Sequence, residues 1–96
     1  MNNFHSEDME KLYEAILSLE SIDECQKFFE DICTIKELQD ISQRLEIALL
    51  LSEGKSYQEI AAAVGASTAT IGRVSRSLNY GTGGYRMAID RLKEDA

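Results

Sequence analysis

The sequence predicts an all-α protein of five to six helices that pairs with a second copy of itself. Hardly any segment alternates apolar and polar residues with β-branched enrichment, while Ala, Leu, Ile, Glu and Lys are common and proline is absent. Ser or Thr stands three residues ahead of Glu at Ser21–Glu24, Thr34–Glu37 and Ser56–Glu59, a pairing that caps helix N-termini reciprocally. All six glycines fall from Gly54 onward, where they mark boundaries. With 96 residues there is one domain, spanning 1–96. Its core is modest, so an obligate dimer is a reasonable expectation.

The elements follow in order. Ser6 or Glu7 begins a helix through about Leu19, with Met9, Leu12, Tyr13, Ile16 and Leu17 at helical spacing. Ser21 opens a short helix that turns Cys25, Phe28, Phe29 and Ile32 inward. Thr34 opens a third, which runs to Glu53 and stops at Gly54, a natural left-handed position. Its apolar residues are Leu38, Ile41, Leu45, Ala48 and Leu49, then Leu50 and Leu51 as well. A helix apolar almost all round at its end is buried on more than one side, and in so small a chain the second side is a second subunit. Residues 1–54 therefore read as a dimerisation body. Ser56 opens a helix from Tyr57 to Val64, broken at Gly65. Ser67 or Ala66 caps another from Thr68 to Leu78, ended by Asn79. The "YGTGGY" stretch reads as a flexible connector. A last helix, 85–93, offers Met87, Ala88 and Leu92 to a core.

Charge divides the chain. The formal net charge is −7, yet residues 1–54 carry four Lys/Arg against thirteen Asp/Glu, and residues 55–96 carry six against four. The second half is thus the one suited to an anionic partner. No basic, apolar leader opens the chain. The longest apolar run, Ile47–Leu51, falls far short of the ~20 residues that span a bilayer. These features predict a cytoplasmic protein with no membrane partner. Cys25 and Cys33 fit neither a CxxC nor a zinc spacing, and His5 is the one histidine. The cysteines read as reduced thiols and His5 as a solvated side chain, so no metal site is expected. An enzyme is not expected either. No Cys–His or Ser–His–Asp set exists, no phosphate loop, and pairs such as Asp23–Glu24 read as helix-surface charges.

The stretch "SYQEIAAAVGASTATIGRVSRSLN" (56–79) carries the chemistry. Two helices crossing at a tight turn need a small residue at the crossing, a residue tolerant of positive φ four positions on, and a branched apolar residue six further. Ala61, Gly65 and Ile71 meet those needs, and Ile60, Val64, Ala66, Val74 and Leu78 fill the other inward positions. This is helix-turn-helix spacing. The outward residues of the second helix are Ser67, Thr68, Ala69, Thr70, Gly72, Arg73, Arg76 and Ser77. No acid occurs between Glu59 and Asp90. A small, hydroxyl-bearing helix tip enters a major groove, where hydroxyls meet base edges or phosphates and methyls touch thymine. Arg73 and Arg76 are spaced for phosphate or guanine, and Gln58 for backbone or adenine. Gln58, Ser67, Thr68, Ala69, Thr70, Arg73 and Arg76 are the candidate DNA-binding residues, with double-stranded DNA as the partner. The competing reading is a helical protein-interaction module without DNA binding; the acid-free outer face favours DNA.

The stretch "CTIKELQDISQRLEIALLLSEGKSYQEIAAAVGASTATIGRVSRSLN" resembles the Trp repressor superfamily over about Cys33–Asn79. The Thr opening the helix that holds "QRLEIALLL" and the block "GASTATIGRVSRSL" carry the likeness. The following "NYGTGGYRMAI" resembles the small Trp-repressor-like regulators of Gram-positive bacteria. The resemblance implies an intertwined, all-helical homodimer acting as a transcriptional repressor. Its two reading helices would lie about 34–36 Å apart, one turn of duplex.

The resemblance also implies an effector site. Thr34, Arg44, Arg73 and Ser77 match positions that hold tryptophan in the ligand-responsive members, where guanidinium planes stack on the indole. Three departures oppose tryptophan. Val74 replaces a glycine that leaves room beside the indole, Asp31 replaces an apolar residue, and the link before the hairpin is one residue shorter. The residues themselves call for no cofactor. A small-molecule corepressor is what the resemblance leaves open, with tryptophan a poor fit.

Overall fold

In a computed structural model of the chain, residues 6–94 are described, so the expectation for His5 lies outside the described residues. Six helices follow one another: α1 (Glu7–Leu17), α2 (Ile22–Ile32), α3 (Ile35–Ser52), α4 (Tyr57–Val64), α5 (Thr68–Tyr80) and α6 (Gly84–Glu94). The chain divides into two compact units, Met1–Leu38 and Gln39–Ala96, with the boundary inside α3.

The starts of α1 to α5 are fixed by the expected side chains, with Thr34 capping α3. The Ser6, Ser21, Ser56 and Ser67 hydroxyls accept backbone N–H bonds from Met9, Glu24, Glu59 and Thr70. Each satisfies one of the donors that a helix leaves open. Two boxes close reciprocally. Glu37 accepts from the Thr34 N–H at 2.8 Å, and Glu59 from the Ser56 N–H at 2.8 Å. The third shifts by one residue, because Glu24 accepts from the Glu20 N–H instead of that of Ser21. At the end of α3, Gly54 N–H reaches Leu51 O and Lys55 N–H reaches Leu50 O. Gly54 has φ +84°. Together these form the paired closure that a left-handed glycine permits.

In the first unit α1 and α2 are amphipathic, but neither buries a residue. Met9, Leu12 and Ile16 of α1 and Cys25, Phe28 and Phe29 of α2 are half-buried. The two phenyl rings meet edge to face with centroids 5.4 Å apart. Ile32, expected inward, is exposed. Leu17 and Ile22 are 84% and 87% exposed.

The second unit holds the core. Ile47 and Ala48 of α3, Ile60 of α4, Ile71, Val74 and Leu78 of α5, and Ile89 of α6 are buried, with Leu49–Leu51, Ala61, Val64, Ala66 and Tyr85 packed against them. The sequence reading of α4 and α5 therefore matches the buried set. The end of α5 differs. The helix continues through Tyr80, because the Asn79 amide bonds back to the Ser75 carbonyl at 3.0 Å instead of breaking the turn. The same side chain accepts from Arg86 Nη2 at 3.0 Å, tying α6 to α5. The expected connector thus shrinks, since Tyr80 is helical and α6 begins at Gly84. In α6 the core contact is Ile89, with Tyr85 one turn earlier. Met87 falls on the opposite face. Leu92 continues the inward stripe one turn beyond the core and stays exposed.

Candidate nucleic-acid interface

Away from the buried Ile71–Val74–Leu78 stripe, α5 exposes four of the predicted contact residues: Thr68, Ala69, Arg73 and Arg76. Gly65 ends α4 in the left-handed region (φ 73°), and its N–H closes the helix on Ala61 O at 2.9 Å. Two residues later Ser67 caps α5, so the α5 N-terminus begins immediately beyond the turn. Thr68 and Ala69 are exposed on its first turn, and Thr70 is half-buried. Arg73 and Arg76 are exposed further along the helix, and Gln58 is exposed on the first turn of α4.

The tip is more ordered than the sequence alone suggests. Ser67 Oγ accepts the Thr70 N–H at 3.1 Å and donates to Thr70 Oγ1 at 3.1 Å. Ser67 and Thr70 therefore hold each other, while Thr68 and Ala69 project. The first turn of α5 contains no acid. Its open N–H groups and helix dipole present partial positive charge without a neutralising carboxylate.

Electrostatics at the start of α4 are also set locally. Glu59 is held below the usual carboxylate range, first by the Ser56 backbone N–H, then by the Ser56 side chain, with Lys55 adding a smaller pull. The carboxylate at this end of the hairpin is therefore committed to its cap.

Of the four effector candidates, Arg44, Arg73 and Ser77 lie in the second unit and are divided between two clefts. Arg44 and Arg73 line a cleft of about 190 Å³ with Asp40, Gln43, Thr70 and Val74. Ser77 lines a different cleft, of about 600 Å³, walled by Arg44, Ile41, Leu45 and Tyr85 and by Gly81 and Gly84 at the two ends of the α5–α6 connector. Thr34 belongs to the first unit, where its hydroxyl accepts the Glu37 N–H at 3.0 Å as a helix cap. Val74 is 2% exposed. Its side chain is a core element as well as a wall of the smaller cleft. Among the described residues no group of three His, Cys, Asp or Glu side chains is arranged to hold a metal. No helix of the described residues is long and apolar enough to cross a membrane.

Two residues near the site carry no signal in the sequence. Gln43 donates from Nε2 to the Val64 carbonyl at 3.2 Å, across 21 positions. Nothing distinguishes it from the other polar residues of α3. The Asn79–Arg86 bond is equally silent, because Asn79 reads from sequence only as a helix stop.

Comparison with known proteins agrees with this architecture. The family model described as Trp repressor protein matches residues 7–93. The chain is 49% identical over 94 residues to the uncharacterized protein YerC of Bacillus subtilis (strain 168), covering 98% of this chain and 90% of that one. It superposes on the crystal structure of a TrpR-like protein from Eubacterium eligens with a TM-score of 0.92 and 50% identity, covering 97% of this chain and 96% of that one. A candidate Trp repressor from Staphylococcus aureus gives a TM-score of 0.90 and 43% identity over 97% and 95% of the two chains.

Proposed function

The chain belongs to the Trp repressor family, a family of regulators and not of enzymes, and from that premise we propose that it is a homodimeric transcriptional repressor that reads duplex DNA with α5. The carrying observation is the exposed, acid-free first turn of α5, held rigid by the Ser67–Thr70 pair and backed by a fully buried Ile71. Thr68 and Ala69 face base edges, and Thr70, half-buried and bonded to Ser67, meets DNA only at the edge of the tip. Arg73, Arg76 and Gln58 hold the backbone, and Ser67 acts through Thr70. The acidic residues 1–54 carry the charge least suited to DNA, in keeping with the charge division.

A gel-shift series against a pool of random duplexes tests the reading. Retention at ~50 mM salt that weakens steeply as salt rises supports it, since phosphate contacts release counterions. Absence of binding at that salt removes it and leaves the protein-interaction module. Arg76→Ala is expected to weaken all duplexes about equally and to lower the salt slope by ~1, whereas Thr68→Ala changes which sequences are selected.

The homodimer reading is supported by the apolar residues that one chain leaves uncovered: Leu17, Ile22, Ile35, Ile41, Met87 and Leu92. In the first unit Leu17, Ile22 and Ile35 are each more than three-quarters exposed, and a second copy would cover them. For the effector we propose that tryptophan does not act through the Arg44–Arg73 cleft. That cleft, at about 190 Å³, falls below the ~300 Å³ at which small-molecule sites begin, and Val74 fills the space beside it. Calorimetry with tryptophan is expected to show no saturable heat for the wild type. A saturable signal would overturn this point.

A further inference from the structure

We infer that Gln43 is a positioning residue for the reading head: its side-chain amide fixes the α4–α5 turn to α3, and so sets where the tip of α5 lies. The inference rests on the DNA-reading role proposed above. Val64 is the last residue of α4, so its carbonyl is one that the helix itself leaves unpaired. The chain reverses at the next residue, Gly65, and the tip begins two residues further on. Gln43 Nε2 supplies the missing donor at 3.2 Å, in a half-buried setting. A bond at that carbonyl acts on the pivot of the hairpin. The apolar core beneath it holds α4 and α5 together through Ile60 and Ile71, but slippery aliphatic contacts give distance more than orientation, whereas a hydrogen bond is directional.

The same side chain also forms part of the wall of the cleft shared by Arg44, Thr70 and Arg73. Gln43 therefore bonds to the turn and lines the cleft that runs along the inner side of the reading helix. A displacement of its amide is transmitted to the turn directly.

The test uses the full chain and three forms: wild type, Gln43→Met, which has similar reach but no donor, and Gln43→Lys, which restores one. Amide hydrogen exchange is followed in the free protein, and affinity is measured for a duplex selected by the wild type from a random pool. Gln43→Met is expected to exchange roughly tenfold faster over Gly65–Thr70, with the α3 amides of Glu46–Leu50 unchanged and the far-ultraviolet circular dichroism intact. Its affinity for the selected duplex falls roughly five- to tenfold, the scale of one lost hydrogen bond, and its salt slope is unaltered because no phosphate contact is removed. Gln43→Lys restores slow exchange at the turn.

Unchanged exchange over Gly65–Thr70 in Gln43→Met overturns the inference whether or not DNA is bound. Faster exchange spread evenly over all helices also overturns it, because that signature is general destabilisation. Faster exchange at the turn with undiminished affinity for the selected duplex overturns it as well. A wild type that selects no duplex instead removes the DNA reading, and the exchange comparison alone then decides whether Gln43 holds the turn.

Discussion

Residues 39–94 bury Ile47, Ile60, Ile71 and Ile89 to 1% exposure or less, whereas residues 6–38 bury nothing to that degree and leave Leu17 and Ile22 more than four-fifths exposed. Both regions are built from helices of the same kind, with caps that work and apolar residues recurring at helical spacing. The difference is that α4 packs on α5 and α5 on α6 within one chain, while the apolar faces of α1 and α2 stay partly open. Periodicity states which side of a helix needs cover. It does not state what supplies the cover. Residues 39–94 carry their own core and can hold the tip proposed to read DNA, whereas the acidic half leaves the apolar surface that the proposed second copy would cover.

The largest expected effect lies in the core of the reading half. Ile71→Ala removes a fully buried side chain at the angle between α4 and α5, and such a truncation costs about 2–5 kcal/mol. Urea unfolding followed by circular dichroism is expected to show that loss. A cost below ~1 kcal/mol would mean that the α4–α5 core is looser than the burial implies.

The next expectation sets the two halves against each other directly. From burial in one chain alone, Leu17→Asp with Ile22→Asp should change stability by no more than ~0.5 kcal/mol, the usual scale for exposed sites. The proposed dimer requires much more: sedimentation should show a monomer, and the melting temperature should lose its dependence on protein concentration. A double variant that sediments as the wild type does would leave the apolar faces of α1 and α2 without the role proposed for them.

Gly65→Ala is expected to have a smaller effect, and one confined to the turn. A Cβ there would meet nothing within 4 Å, so the cost is that of holding an L-residue at φ 73°, about 1–2 kcal/mol. Gly81 provides the contrast. Its φ is ordinary, but a Cβ would collide with the Ser77 carbonyl, so Gly81→Ala should shift the α5–α6 connector. Proton spectra of the two variants should therefore perturb different ends of α5. Identical patterns would break the distinction between a conformational and a steric glycine.

These two glycines mark how far the sequence could be read. Gly65 was legible because Ala61, Gly65 and Ile71 occupy positions that one local geometry demands, and the inward set of α4 and α5 followed from it. The caps were legible for the same reason: Ser56 and Glu59 are three residues apart and bond to each other. Gly81, Gln43 and Arg86 were not. Their partners, Ser77, Val64 and Asn79, are chosen by helix length and by tertiary approach across up to 21 positions, which no local pattern encodes. The end of α6 was misread for a related cause. Met87, Ala88 and Leu92 are reasonable inward residues until the fold fixes the rotation of the helix and selects Tyr85 and Ile89.

The smallest expected effect concerns the cap shared by Lys55, Ser56 and Glu59. Glu59 is held below the ordinary carboxylate range because the Ser56 N–H, and to a lesser degree the Ser56 hydroxyl and Lys55, favour its ionised form. The folded chain therefore binds this proton less readily than the unfolded chain. Stability from the cap is present above the ordinary carboxylate range and declines as pH falls through it toward the lowered folded value. Urea melts of wild type and Glu59→Gln between about pH 3 and pH 7 should separate at the upper end and converge at the lower. Because the group is exposed, the separation should be slight and should shrink further in salt. A difference that grows on acidification would reverse the sign and mean that the protonated side chain, not the carboxylate, closes the cap. α4 would then be fixed by Ser56 together with a neutral Glu59, and its cap would hold at acid pH as it does near neutrality.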